Sequence, residues 1–182
     1  MQGKPFEIPK RLVWQAYKDV RKNRGAAGVD GQTIKMFDEK RDKNLYKIWN
    51  RLSSGTYFPP AVRKKEIPKA NGKVRVLGIP TVADRIAQGA VKLHLESLID
   101  PKFSADSYGY RPGKSAHDAL EVTRRRVWKK GWLVELDIEA FFDNVSHELI
   151  LKALQFHEAP NWAILYCSRW LEADMIGDNG ES

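Results

Sequence analysis

The residues with the clearest chemical potential stand in LVELDIEAFFDNVSH, residues 133–147. A short apolar run, Trp132 to Asp137, has the length and composition of a strand and ends on a carboxylate, and Asp143 follows six residues later. Mg²⁺ takes one or two carboxylates from a protein and fills its shell with water and phosphate oxygens. A pair of such ions needs a rigidly mounted carboxylate between them, and a strand end is a rigid mount. An aspartate that merely ends a strand is the competing reading, and Asp137 alone does not decide between them.

The second group is a run of cations. Arg63, Lys64, Lys65, Lys69, Lys73 and Arg75 fall within residues 63–75, opposed only by Glu66. Asn71-Gly72 divides the run, which marks a hairpin. Strand side chains alternate in direction, so one face could present several cations to a triphosphate or a nucleic-acid backbone. Lysines that protect an edge hairpin from aggregation produce the same pattern. Weaker signals are Tyr108, Tyr110 and Arg111 in a loop, which could stack on or hold a nucleotide strand. Arg124, Arg125, Arg126, Lys129 and Lys130 form a basic helix end. The four histidines show no metal-ligand spacing, and Cys167, in an apolar helix, reads as buried and inert.

The elements that must position these groups follow from periodicity and punctuation. Residues 9–23 read as a helix with Leu12, Val13, Ala16, Tyr17 and Val20 on one face. NRGAAGVDG (23–31) is a loop, because its three glycines cannot continue a helix. A second helix is expected from Thr33 to about Leu52, then strands at about 62–68 and 73–78. Thr81, with Asp84 three residues on, opens a helix to residue 99. Ser115 caps a helix to about Lys130, the strand 132–137 follows, Ser146 caps another helix, and Pro160 starts a last one to about Leu171. The tail GDNGES reads as loose. Helices, a hairpin, helices, one strand and helices make an α+β protein without βαβ repeats.

Composition sets the outer bounds. The chain of 182 residues carries 31 Lys+Arg against 23 Asp+Glu, a net charge of +8. That charge is divided: residues 1–134 hold 29 basic and 13 acidic residues, and residues 135–182 hold 2 and 10. The basic part suits a polyanion. With 42% hydrophobic residues and a single cysteine, wholesale disorder and a disulfide scaffold are excluded. The absence of a signal-type start or a long apolar run points to a cytoplasmic setting and no membrane partner.

Four blocks in order carry a family resemblance. NRGAAGVDG (23–31), YFPPAVRKKEIPKANGKVRVLGIPTVADRIAQ (57–88), SYGYRPGKSAHDAL (107–120) and LVELDIEAFFDNVSH (133–147) together resemble the amino-terminal part of a bacterial group II intron-encoded reverse transcriptase/maturase. The resemblance implies fingers over residues 1–134, including an amino-terminal extension, and the first part of a polymerase palm over 135–182. It implies that Asp137 and the carbonyl of Ile138 ligate two Mg²⁺ ions, and that Phe142, with Phe141 as the fallback, excludes a 2′-hydroxyl. Lys69 and Arg75 would hold the incoming dNTP. Arg63, with Lys64 and Lys65, would lie near the template, and Asn23, Arg24 and Gly25 would lie over the template or primer. Tyr110 and Arg111 join that nucleic-acid-binding set. Partners would be intron RNA, an RNA template with a DNA primer, and dNTP.

The sequence departs from the family pattern at its end. No Asp-Asp pair occurs anywhere in it, and neither the Pro-Gln-Gly block nor the thumb is present. The expectation is a fragment that does not polymerise alone, with a truncated palm able to self-associate. The alternative is an RNA-binding maturase segment, a splicing cofactor with no polymerase role.

Overall fold

A computed structural model describes residues 4–68, 72 and 74–177. Helix α1 (Lys10–Asn23) buries Val13, Ala16 and Tyr17, the stripe read from the sequence, and ends at Arg24 in the left-handed region with φ 54°. The long helix expected from Thr33 is two helices, α2 (Ile34–Glu39) and α3 (Arg41–Ser53), broken at Lys40 with φ −128°. Thr33 Oγ1 accepts from the Met36 N–H, and the Asn44 side chain donates to the Phe37 carbonyl, so the break leaves that carbonyl satisfied. The bend lets Phe37 join Leu45, Ile48 and Leu52 in one core.

Strands β1 (Val62–Pro68) and β2 (Val74–Ile79) form the expected antiparallel hairpin. Helix α4 (Val82–Ile99) follows, with Thr81 Oγ1 accepting from the Asp84 N–H. A 3₁₀ turn at Asp100–Lys102 leads to α5 (Ala116–Val127), whose Ser115 and Asp118 complete a reciprocal capping box. A short turn α6 (Phe141–Asn144), α7 (His147–Phe156), α8 (Asn161–Leu171) and β3 (Met175–Ile176) complete the order. Strand β3 pairs in parallel with β1, giving a sheet ordered β2-β1-β3. A two-residue strand is too short for any periodicity to reveal, so β3 carries no local signal.

The core lies where α1, α3 and α8 meet α4. Its centre holds a polar node. Asp84 is 1% exposed. Its Oδ1 accepts from Tyr57 Oη at 2.7 Å and Trp170 Nε1 at 2.8 Å, and its Oδ2 from Gln88 Nε2 at 2.9 Å. The Tyr166 hydroxyl donates to the Leu52 carbonyl, tying α8 to the end of α3.

Two further expectations fail. Residues 132–138 form no strand, and Leu133, Val134 and Leu136 are exposed. An apolar run states a demand for burial, but a strand exists only through hydrogen bonds to a neighbour, and no strand lies beside it among the described residues. Ser146 precedes α7 without a side-chain capping bond. Among the described residues no helix is long and apolar enough to cross a membrane.

Candidate nucleic-acid interface

The register of the hairpin sorts its cations. Arg63 opposes Ile79, Lys65 opposes Leu77 and Ile67 opposes Arg75, while Lys64 opposes Gly78. Directly opposed residues share a face and neighbours along a strand alternate. Arg63, Lys65 and Arg75 therefore stand on one face. Lys64 stands on the other, where its ammonium pairs with Glu66 at 3.3 Å. The sequence could count cations but could not separate them, because the separation depends on register. Lys65 and Arg75 are exposed, and Arg63 is half-buried. The buried Arg63 Nε has no acceptor among the described residues. Lys69 and Lys73 lie outside the described residues.

The loop after α1 is fixed by close approach to the start of α4. A Cβ on Gly28 would stand 2.6 Å from the Thr81 nitrogen and 2.9 Å from the Pro80 carbonyl carbon. A Cβ on Gly25 would overlap the Arg85 guanidinium, whose Nη2 donates to the Ala26 carbonyl at 2.8 Å. Burial lowers the Arg85 pKa from its ordinary value, a trend that Asp30 opposes. Asn23 and Arg24 sit at the exposed end of α1. Sequence reasoning missed Arg85, the side chain that holds this loop; it falls inside a helix with nothing local to mark it.

Backbone atoms cannot rotate away as a side chain can. Gly28→Ala is therefore expected to cost about 1–3 kcal/mol, in the range of overpacking. Gly31→Ala, at φ 65° but facing open space, should cost about 1 kcal/mol. Urea unfolding of the two variants checks the order, and equal stability of Gly28→Ala and the unmodified chain would refute the close packing.

In the loop before α5, Tyr110 and Arg111 separate. Tyr110 is 97% exposed, with φ 55°. Arg111 is committed within the fold: Nε donates to Asp100 Oδ1 at 2.8 Å, Nη1 to the Ser104 and Ser107 carbonyls, and Nη2 to the Asp100 carbonyl. The Arg111 hydrogen bond and charge hold the Asp100 carboxyl below its usual range.

Asp137 and Ile138 lie on an exposed irregular segment, and Phe141 and Phe142 stand in α6 with ring centroids 5.5 Å apart. Among the described residues no three His, Cys, Asp or Glu side chains gather as a metal site. One exposed carboxylate is by itself a donor set too small for two ions.

A hairpin with three cations on one face and a glycine-pinned loop thus stand on an α+β frame. The profile described as Reverse transcriptase (RNA-dependent DNA polymerase) matches residues 67–182, and the chain belongs to that family. Within it, the chain is homologous to Group II intron-encoded protein LtrA of Lactococcus lactis subsp. cremoris, at 39% identity over 143 residues, 77% of this chain and 23% of LtrA. Protein YkfC of Escherichia coli (strain K12) is 37% identical over 70% of this chain and 35% of its own length. Nuclear intron maturase 1, mitochondrial, of Arabidopsis thaliana is 27% identical over 47% of this chain and 12% of its own. The chain thus spans between about an eighth and a third of these relatives. Reverse transcriptases generally use a divalent metal and bind a nucleic-acid template and dNTP.

Proposed function

We propose that this chain is the fingers and first palm segment of a group II intron RNA-directed DNA polymerase, with residues 1–134 as fingers and 135–182 as partial palm. The observation that carries the reading is the shared face of Arg63, Lys65 and Arg75, on a hairpin that opens the family match. Phosphoryl transfer depends mostly on positioning and charge neutralisation, and that is what such a face supplies. Arg75, with Lys69, holds the β- and γ-phosphates of dNTP; Arg63 lies against the template; Phe142 or Phe141 packs under the sugar. Asn23, Arg24 and Gly25 contact the template or primer strand, and Tyr110 adds a stacking surface. Asp137, with the Ile138 carbonyl, contributes one part of the Mg²⁺ site, and the intron's own RNA is a further partner in a bacterial cytoplasm.

The chain alone, given oligo(rA) primed with oligo(dT), Mg²⁺ and dTTP, is expected to show no extension. Templated extension would overturn its reading as an insufficient part of the polymerase. Ultraviolet crosslinking of radiolabelled dTTP to the chain should succeed and be lost in Arg75→Ala. Crosslinking that ignores Arg75, with RNA binding intact, would favour the second reading, an RNA-binding maturase segment. That reading has support of its own in the likeness to Nuclear intron maturase 1.

A further inference from the structure

Residues 132–139, WLVELDIE, alternate in character at every step after Leu133. In an extended chain Trp132, Val134, Leu136 and Ile138 would share one face, and Glu135, Asp137 and Glu139 the other. That is the pattern of a strand with one buried face. Yet no backbone hydrogen bond ties residues 132–138 to the rest of the described chain. Trp132 is 94% and Leu136 91% exposed. Among the described residues none of the three carboxylates has a cation within ion-pair distance. Free backbone groups and a bare apolar face together call for a neighbouring strand.

The hairpin has a vacant side of its own. In the sheet ordered β2-β1-β3, β2 is an edge strand. An open edge offers a row of backbone donors and acceptors to another chain. The face of β2 that carries Arg75 is basic, and the other face carries Val74 and Val76, exposed to 54% and 46%. Among the described residues Arg63, Lys65 and Arg75 have no carboxylate within ion-pair distance. The two unpartnered segments are complementary in charge: residues 62–79 hold six cations against Glu66 alone, and residues 132–139 hold three carboxylates and no cation.

We infer that this chain forms a two-fold dimer in which residues 132–138 of one copy add as a strand to β2 of the other, and the reverse. Alternation fixes how the faces meet. Val134 and Leu136 pack beside Val74 and Val76, while Glu135 and Asp137 stand beside Arg75. A slip of one residue would set carboxylates on valines and apolar side chains on Arg75, so both faces specify the register. The contact is reciprocal and closes at two copies instead of growing into a fibre. Its area is therefore counted twice toward the roughly 1,600 Å² of a stable interface. RNA is a poor occupant of the same segment, because the segment is acidic and phosphates seek cations. The dimer does not rest on the polymerase reading, but it bears on it: carboxylates over Arg75 withhold that cation from phosphates.

The test is sedimentation equilibrium of the full chain over a concentration series, with variants that change only exposed side chains. Arg75→Glu sets carboxylate against carboxylate, and Glu135→Lys/Asp137→Lys sets ammonium against guanidinium. Each should weaken the dimer about tenfold, through like charges opposed twice per dimer. An equimolar mixture of the two variants should dimerise as tightly as the unmodified chain. In that mixed dimer the acidic segment of the first variant meets Arg75 of the second, and the basic segment of the second meets the substituted β2 of the first. Hydrogen exchange should show amides 132–138 and 74–79 protected only where the dimer is populated. A monomer at every concentration would overturn the proposal, and protection of 132–138 in that monomer would assign the segment to closure within one chain. A dimer indifferent to both variants, or one that the mixture fails to restore, would place the contact elsewhere and overturn it as well.

Discussion

Asp84→Ala is expected to lower the unfolding free energy by about 3–4 kcal/mol in urea titrations, a large part of what a domain of this size has to lose. The carboxylate accepts from Tyr57, Trp170 and Gln88, which come from the segment before β1, from α8 and from α4 itself. Removing it strands three donors in a dry interior, and each unsatisfied buried donor costs about 1–3 kcal/mol before partial relaxation. Asp84→Asn keeps an oxygen for Tyr57 and Trp170 and loses only the clean acceptor for Gln88, so about 1–2 kcal/mol is expected. Equal stability of Asp84→Ala and the parent chain would show that the node is not closed in solution.

The same node sets a pH dependence. Burial raises the Asp84 pKa above its ordinary value, against the three hydrogen bonds that lower it. The folded state then binds this proton more tightly than the unfolded chain. Asp84's contribution to stability is fully present below the unfolded carboxylate pKa and is lost as pH rises through the folded value. Comparing the parent with Asp84→Asn across that window isolates the effect. The parent's advantage over Asp84→Asn should widen as pH falls, and an advantage that narrows on acidification would reverse the sign.

The second large effect concerns RNA binding by the hairpin. Arg63→Ala/Lys65→Ala/Arg75→Ala should flatten the dependence of log affinity on log salt by about 2, since each phosphate contact on a single strand contributes roughly 0.7. Lys64→Ala should leave the slope nearly unchanged, because Lys64 lies on the opposite face and is already paired with Glu66. A cation count predicts equal effects per residue, whereas the register predicts unequal ones. Anisotropy between 50 and 200 mM salt, a fourfold span over which a slope change of about 2 alters relative affinity about 16-fold, distinguishes them. A Lys64 effect as large as that of Arg63 would refute the face assignment.

How much of this could be read in advance depended on the range of the interactions. The hairpin was legible because Asn71-Gly72 between β-branched basic runs is a local turn signal, and α1, α4, α5 and α8 were legible because apolar spacing and caps lie within one or two turns. The break at Lys40 was not, because the apolar stripe continues across it and only packing of Phe37 into the core demands a bend. The 132–137 segment reads as a strand by composition, yet strand formation needs a neighbour that no local pattern can supply. Among the candidate site residues, the hairpin cations could be counted but not sorted by face, while Arg111 was grouped with nucleic-acid contacts although the fold engages its guanidinium with Asp100 and three carbonyls.

The sequence by itself determined the family, the α+β class, the hairpin with its basic charge and the single carboxylate at Asp137, because motif order, periodicity and charge are properties of neighbours along the chain. Tertiary structure alone decided which cations share a face, why Gly25 and Gly28 are glycines, that Asp84 is buried with no cation paired to it among the described residues, and that Trp14, Tyr46 and Trp49 meet around one cleft. Each of these depends on atoms distant in sequence coming within a few ångströms, and contact energies, unlike propensities, are set only once the chain has closed on itself.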